Sequence, residues 1–296
     1  MITHYKVFST VAEQKSFLKA SEILNLTPSA ISHSISKMEC EFGFKLFIRK
    51  KGGVQLTNHA KEIYPYITQI LNDENKLYQI VSQLNGLEKG AISIGTFNSV
   101  FINWMPTIFK SFKKVYPNID IKVYQGGYDD VVKWIKDGVV DISFVSLSNC
   151  DDLDVTPIYK DKLMCLTPKN FVKSNKKYFT IDDIRKHKEK IIYQKEGYDA
   201  ETNNFLKKYD ISCASHFTIE NDLSLMAMVE SGFGICIVPE LVTTNQKFNI
   251  DYYPIQPSEY RVIAIASLEK RTIPPLALKF HDFIIEYLEK SGIKNI

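Results

Sequence analysis

The sequence lacks the marks of most enzymes and exported proteins. It holds no C-x-x-C pair. Its five cysteines, Cys40, Cys150, Cys165, Cys213 and Cys236, are scattered. An odd, dispersed set argues against a disulfide framework and a structural zinc site. No H-E-x-x-H, G-x-S-x-G or phosphate-cradling P-loop occurs, and no G-x-G-x-x-G follows a strand, so no nucleophile, metal cluster or nucleotide site is visible. The glycines of Gly232-Phe233-Gly234 lead into a strand rather than follow one, as in a turn. No apolar run approaches a membrane span. The opening MITHYKVFSTVAEQ has no basic segment followed by an apolar one, as export would need. Repeats and low-complexity tracts are also missing. The expectation is a cytoplasmic protein that is not an enzyme, uses no cofactor or metal and touches no membrane.

What is present is ordinary globular composition with an uneven charge. The 296 residues, 45% hydrophobic and 24% charged, suffice for two or three compact units. Residues 1–60 contain 8 Lys and Arg against 4 Asp and Glu, whereas residues 61–296 balance to −1. The excess positive charge therefore sits on a small N-terminal unit, where phosphate contacts would use it.

Within that unit, residues 3–14 read as a helix with Tyr5, Phe8, Val11 and Ala12 on its buried side. Residues 16–39 then read as two short helices joined by a tight turn, a helix-turn-helix. Ser16 is an N-cap, Phe17, Ala20 and Leu24 share one side, and Asn25-Leu26 interrupts the pattern. Thr27 caps the second helix, with Pro28 at its first position. Ile31, Ile35 and Met38 make an apolar stripe there, and Ser29, Ser32, His33 and Ser36 lie opposite with Lys37 at the edge. A solvated face would more commonly carry Glu, Lys and Gln, which favour helix. Short hydroxyl side chains instead let a helix approach base edges and phosphates in a major groove. Phe44–Phe47 and Val54–Leu56 read as two strands, with Arg49-Lys50-Lys51-Gly52-Gly53 as a basic hairpin tip, the wing of a winged helix. Its cations would meet phosphates or enter the minor groove.

From Thr57 to about Leu87 the periodicity is long and helical. Ile63, Ile67, Ile70, Leu77, Val81 and Leu84 form one stripe, and Tyr64, Leu71 and Tyr78 a second. Such spacing suggests a dimerising helix pair, parallel or antiparallel. Pro65 predicts a kink or a fresh start. Gly86, Glu88-Lys89 and Gly90 mark a boundary. Beyond it strands are expected at 91–96, 119–125, 141–146, 162–168, 191–194, 216–220, 234–239 and 260–267. Helices are expected at 100–115, 129–137, near 181–188, near 200–208, at 222–231 and at 275–290, an alternation that implies a parallel sheet with helices on its faces.

This order, winged helix-turn-helix, long linker helix and α/β half, resembles the LysR-type transcriptional regulators. The resemblance rests on SFLKASEILNLTPSAISHSISKMECEFGFKLFIRKKGGVQLT, ISIGTFNSVFINWMPTIFKSFKKVYPNI and GFGICIVPE, and covers essentially the whole chain. It implies a DNA-binding domain at 1–58, a linker helix at 59–89 and an α/β effector-binding domain at 90–296. That domain would hold two subdomains like those of type 2 periplasmic binding proteins, 90–161 with 267–296 and 162–266, hinged by two crossover strands. It also implies homodimers pairing through the linker helix and assembling as tetramers.

The expected contacts to double-stranded DNA, at a pseudo-palindromic operator, are Thr27, Ser29, Ser32, His33 and Lys37, with Arg49, Lys50 and Lys51 from the wing. An effector, a carboxylate or similar anion, is expected in the crevice between the subdomains. Thr96, Asn98 and Ser99 would seat it, with Ser146, Ser148, Gln194, Tyr198, Thr202 and Asn221 facing the same space; each is alternatively a cap or turn residue serving its own backbone. Two other classes fit the sequence less well. A solute-binding protein or enzyme would need an export signal or a catalytic motif. An architectural DNA binder would not need some 200 residues of α/β domain.

Overall fold

Three short helices open the chain, each bounded where its own residues dictate. The structure, a computed structural model, describes residues 2–50, 53–84, 89–150, 152–172, 175–195, 197–198, 200–212, 217, 219–268 and 273–296. They divide into two compact units, Met1–Leu87 with Asp137–Val139 and Glu88–Lys136 with Val140–Ile296.

In the first unit, α1 (Ile2–Gln14) buries Val7, Phe8 and Val11; Tyr5 and Ala12 are only half-buried. Helix α2 (Phe17–Leu24) starts where Ser16 Oγ accepts from the Lys19 N–H at 3.3 Å and ends at Asn25, whose φ of 52° is left-handed. Helix α3 (Pro28–Phe42) starts where Thr27 Oγ1 accepts from the Ala30 N–H at 3.2 Å, and stops at Gly43, with φ 77°. Ile31, Ile35 and Met38 pack with Phe8, Val11 and Ala20 in one cluster.

The hairpin differs from expectation. Strands β1 (Phe47–Lys50) and β2 (Gly53–Leu56) pair antiparallel from Phe47–Leu56 to Lys50–Gly53. Pairing begins at Phe47 rather than Phe44 because Leu46 is buried and its N–H donates to Glu39 Oε1 at 2.8 Å. Arg49 and Lys50 thus lie in β1, not at the tip, and Lys51 and Gly52 fall outside the described residues. Gly53 pins the hairpin: at φ 148° an added Cβ would lie 2.4 Å from the Lys15 carbonyl oxygen, which also accepts from the Val54 N–H at 3.0 Å. Helix α4 (Asn58–Leu84) runs unbroken through Pro65, so no second helix starts there. The proline removes only the donor that would serve the Lys61 carbonyl. Ile63 and Ile67 on either side hold the segment against the core cluster.

The second unit is built on one eight-stranded sheet. In chain order it contains β3 (Gly90–Thr96), α5 (Asn98–Asn103), α6 (Met105–Val115), β4 (Ile119–Gln125), α7 (Tyr128–Lys136), β5 (Ile142–Ser146) and β6 (Asp154–Pro168). Then come β7 (Phe179–Thr180), α8 (Ile181–Lys186), α9 (Ala200–Lys208), α10 (Asp222–Glu230), β8 (Cys236–Pro239), α11 (Glu240–Thr243), β9 (Ile250–Gln256), β10 (Tyr260–Ser267) and α12 (Pro275–Lys290). The strand order is β4-β3-β5-β10-β6-β9-β7, with β8 also on β6. Strands β3, β4 and β5 are parallel, as the alternation implied. The rest is mixed: β10 is antiparallel to both β5 and β6, and β6 is antiparallel to β8 and β9.

Four expectations are corrected here. The strand placed at 162–168 is the second half of the 15-residue β6, whose first half, 154–162, pairs with β10. The helix placed at 100–115 breaks at buried Trp104, because Pro106 has no N–H to continue the ladder and Asn103 Nδ2 donates instead to the Ser99 and Leu241 carbonyls, at 2.8 and 2.9 Å. The strand placed at 191–194 is reduced to isolated bridges, Ile191–Ile235 and Gln194–Ile219, since the chain passes from one neighbour to another. Of the strand placed at 216–220, residues 216 and 218 lie outside the described set, as does Cys213, and Ile219 makes that single bridge. Side chains alternate along β6 as a pleated strand requires: Leu163 and Cys165 enter one apolar cluster, Met164 and Leu166 another. A third cluster packs β3 and β5 against α5, α6 and α12.

Candidate functional site

Helix α3 keeps its apolar stripe in the core, so its other side faces outward. Ser29, Ser32, His33, Ser36 and Lys37 are all exposed there. Thr27 is exposed as well, its hydroxyl acting as the cap and lying 3.0 Å from Ser29 Oγ. Ser34, on the inner side, is buried against His4 Nδ1 at 2.7 Å. Arg49 and Lys50 are exposed on β1, whose neighbours Leu46 and Val54 share the α3 core cluster; Lys51 is outside the described residues. One unit therefore presents a small-hydroxyl helix face and a basic hairpin from a common core, a combination suited to duplex DNA.

The α4 stripe divides. Its first part, Ile63 and Ile67, joins the core, whereas Ile70, Leu77, Val81 and Leu84 are exposed, Leu84 by 82%. Tyr78 is likewise 65% exposed. An exposed apolar run of this kind is the usual mark of an interaction surface.

In the second unit a solvent-open cleft lies between the start of α5, the β4–α7 turn, and Gln194, Tyr198, Glu220, Asp222, Pro239, Val242 and Arg261. Asn98, Ser99, Gln194 and Tyr198 line it, as expected. Five other expected residues do not, and each has another job. Thr96 is fully buried and donates to the Phe97 carbonyl at 3.3 Å. Ser146 and Ser148 both donate to Glu201 Oε1, so α9 supplies their carboxylate from within the protein. Thr202 is buried and donates to the Ile237 carbonyl at 2.9 Å. Asn221 caps α10, accepting from the Leu223 and Ser224 N–H groups at 2.8 and 3.4 Å.

The floor of the cleft was not anticipated. Arg261 of β10 is 1% exposed and donates through Nε and Nη2 to Asp161 Oδ2, at 2.9 and 2.6 Å. Its Nη2 also donates to Ser99 Oγ at 2.8 Å, and its Nη1 to the Tyr128 hydroxyl. The guanidinium lies 5.0 Å from the Phe97 ring centre. Burial alone would favour neutral arginine, but Tyr128 and Asp161 outweigh it and hold the group firmly charged. Asp161 Oδ1 accepts from the Leu241 N–H at 3.0 Å, so one pair ties β6, β10, α5, α7 and α11 together. Glu220 and Asp222 complete the ionisable lining. Among the described residues no three His, Cys, Asp or Glu side chains converge as a metal site, and no helix is long and apolar enough to cross a membrane.

Known proteins share this order of units. Residues 2–61 match the family described as bacterial regulatory helix-turn-helix protein, lysR family, and residues 85–289 match the LysR substrate binding domain. The chain belongs to the LysR family. This LysR-type chain is thus a DNA-binding transcriptional regulator with an effector-binding domain. It is 28% identical over 268 residues to the HTH-type transcriptional regulator YvbU of Bacillus subtilis, covering 90% of this chain and 91% of that one. A full-length OxyR variant of Pseudomonas aeruginosa matches with a TM-score of 0.73 at 19% identity, over 96% of this chain and 94% of that one. Full-length CbnR, solved with its target DNA, matches at 0.67 and 17% identity, over 97% and 99%. At such identities the two structures show the LysR-type fold.

Proposed function

We propose that this regulator reads an inverted-repeat operator by laying α3 in the major groove, one half-site for each subunit of a twofold dimer. Ser29, Ser32, His33 and Lys37 face the bases and nearby phosphates, Thr27 meets the backbone at the helix start, and Arg49, Lys50 and Lys51 contact phosphates or the minor groove. The observation that carries this reading is the exposed hydroxyl face of α3 opposite the buried Ile31, Ile35 and Met38. The DNA-bound CbnR of matching fold supports it. The α3 face offers neither an Arg nor an Asn for the bidentate Arg–guanine or Asn–adenine pair, so DNA shape contributes to specificity. Dimers form through Ile70, Leu77, Val81 and Leu84 of α4 and pair further into tetramers. In this reading 1–58 is the DNA-binding domain, 59–89 the linker and 90–296 the effector domain, with subdomains of 90–161 plus 267–296 and of 162–266.

A small molecule entering the cleft between those subdomains shifts their closure, and through the assembly the bending of DNA. Of the seat read from the sequence for an anion, Asn98 and Ser99 line the cleft, whereas Thr96 is buried and donates to the Phe97 carbonyl. The test is fluorescence anisotropy with a duplex from the promoter beside the protein's own gene. Ser32→Arg should abolish binding while the circular dichroism spectrum stays that of the wild type. Equal binding by Ser32→Arg would contradict the α3 assignment.

A further inference from the structure

Charge in the cleft is not balanced. Among the described residues, three ionisable side chains other than tyrosine reach it: Arg261, Glu220 and Asp222. Arg261 is matched by Asp161, and with Ser99 and Tyr128 four of its five N–H groups are engaged. Glu220 is matched by Lys195 Nζ at 2.8 Å. Asp222 differs. Its Oδ1 accepts from Gln194 Nε2 at 2.6 Å, and among the described residues no Lys, Arg or His forms an ion pair with it. The N-terminal end of α10 offsets part of its charge. Burial still dominates and pushes its carboxyl above the ordinary carboxylate value, against the pull of Gln194 and the more distant Arg261.

We propose that the effector carries a positively charged nitrogen, an ammonium or amidinium, seated on Asp222. This rests on the effector-cleft reading above and names its ligand class. An anionic head group entering the cleft would meet two carboxylates and an arginine whose charge is already matched. A cation entering would pair with Asp222, a half-buried carboxylate of the cleft with which no Lys, Arg or His forms an ion pair among the described residues. Phe97, Tyr198, Pro239 and Val242 line the same space and would cover an apolar body. The ligand class is therefore an organic amine with a hydrophobic portion.

The experiment compares probes of equal size and opposite charge on the full-length protein: phenethylamine against 3-phenylpropionate, and putrescine against glutarate. Binding is read by isothermal titration calorimetry and by the thermal unfolding midpoint. At least one amine should bind ten times or more tightly than its acid partner. Asp222→Asn should lower that amine affinity at least tenfold, and Asp222→Glu should restore part of it. The midpoint of each unliganded variant shows that it is folded. Preference for the acids, silence with all four probes, or undiminished amine binding by Asp222→Asn would each overturn the ligand class. Those outcomes leave the regulator reading standing if the same preparation binds its operator duplex, and loss of operator binding by the wild type would overturn that reading separately.

Discussion

Replacing Arg261 by Met removes the cation but leaves Asp161 where it is, fully buried on β6 with the Leu241 N–H as its remaining hydrogen-bond donor among the described residues. The Tyr128 hydroxyl and Ser99 Oγ lose their partner too. Breaking a buried ion pair from one side costs about 3–5 kcal/mol, because the surviving charge is left uncompensated. For a unit of roughly 200 residues that lowers the unfolding midpoint by roughly 10 °C. The reading can be made specific to this unit. The chain has two tryptophans, Trp104 and Trp134, and both lie in the second unit, so their fluorescence reports its unfolding alone. The partner experiment is Arg261→Met with Asp161→Leu. If the single variant suffers from an orphaned carboxylate, the double variant recovers most of the loss, since buried pairs replaced by apolar side chains are near neutral. A single variant within 2 °C of wild type, or a double variant that falls by the sum of both singles, would refute the reasoning.

Five further outcomes are expected. Arg49→Ala and Lys50→Ala should each weaken DNA binding across sequences and lower the salt dependence, log K against log salt, by about one unit, measured by anisotropy from low to moderate salt. Leu77→Glu with Val81→Glu should convert the wild-type assembly to monomers in sedimentation velocity, and an unchanged sedimentation coefficient would refute the α4 interface. Thr180→Ala removes the capping box of α8 and should cost about 1 kcal/mol in urea unfolding. Burial works against the neighbouring Asp183 carboxylate, but Lys176 and the Thr180 N–H and hydroxyl together hold it at about 2. Its folded value is thus below the unfolded one, so its contribution is present above about pH 4 and lost as pH falls toward 2, and Asp183→Asn should erase that acid-side loss. In the Asp222 case the sign reverses. A raised folded value means stability present at acid pH and lost as pH rises, so Asp222→Asn should gain on the unliganded wild type between pH 4 and neutrality in thermal unfolding.

The helix-turn-helix was legible because everything that makes it is local. Ser16 and Thr27 cap from within four residues, and Ile31, Ile35 and Met38 repeat within two turns. The hairpin was legible in kind but displaced by three residues, because its start is set by Glu39 reaching across seven positions to Leu46. In the α/β half, strands with continuous apolar runs were found. The order in the sheet was not, since β6 and β10 are return strands whose pairing joins residues about a hundred positions apart. The cleft failed for the same reason. Hydroxyls at strand ends look free in a sequence, yet Ser146 and Ser148 are taken by Glu201, more than fifty residues later. Arg261 did leave a trace, a lone charge immediately before the apolar run Val262 to Ala266, but its partner Asp161 lies 100 residues away.

The central claim is that the outward face of α3 reads duplex DNA. Selection of full-length protein against a random duplex library tests it most directly. The account predicts enrichment of one inverted repeat with half-sites about one helical turn apart, and no enrichment by Ser32→Arg carried through the same rounds. Failure of the wild type to enrich any sequence, or recovery of the same repeat by Ser32→Arg, would contradict it.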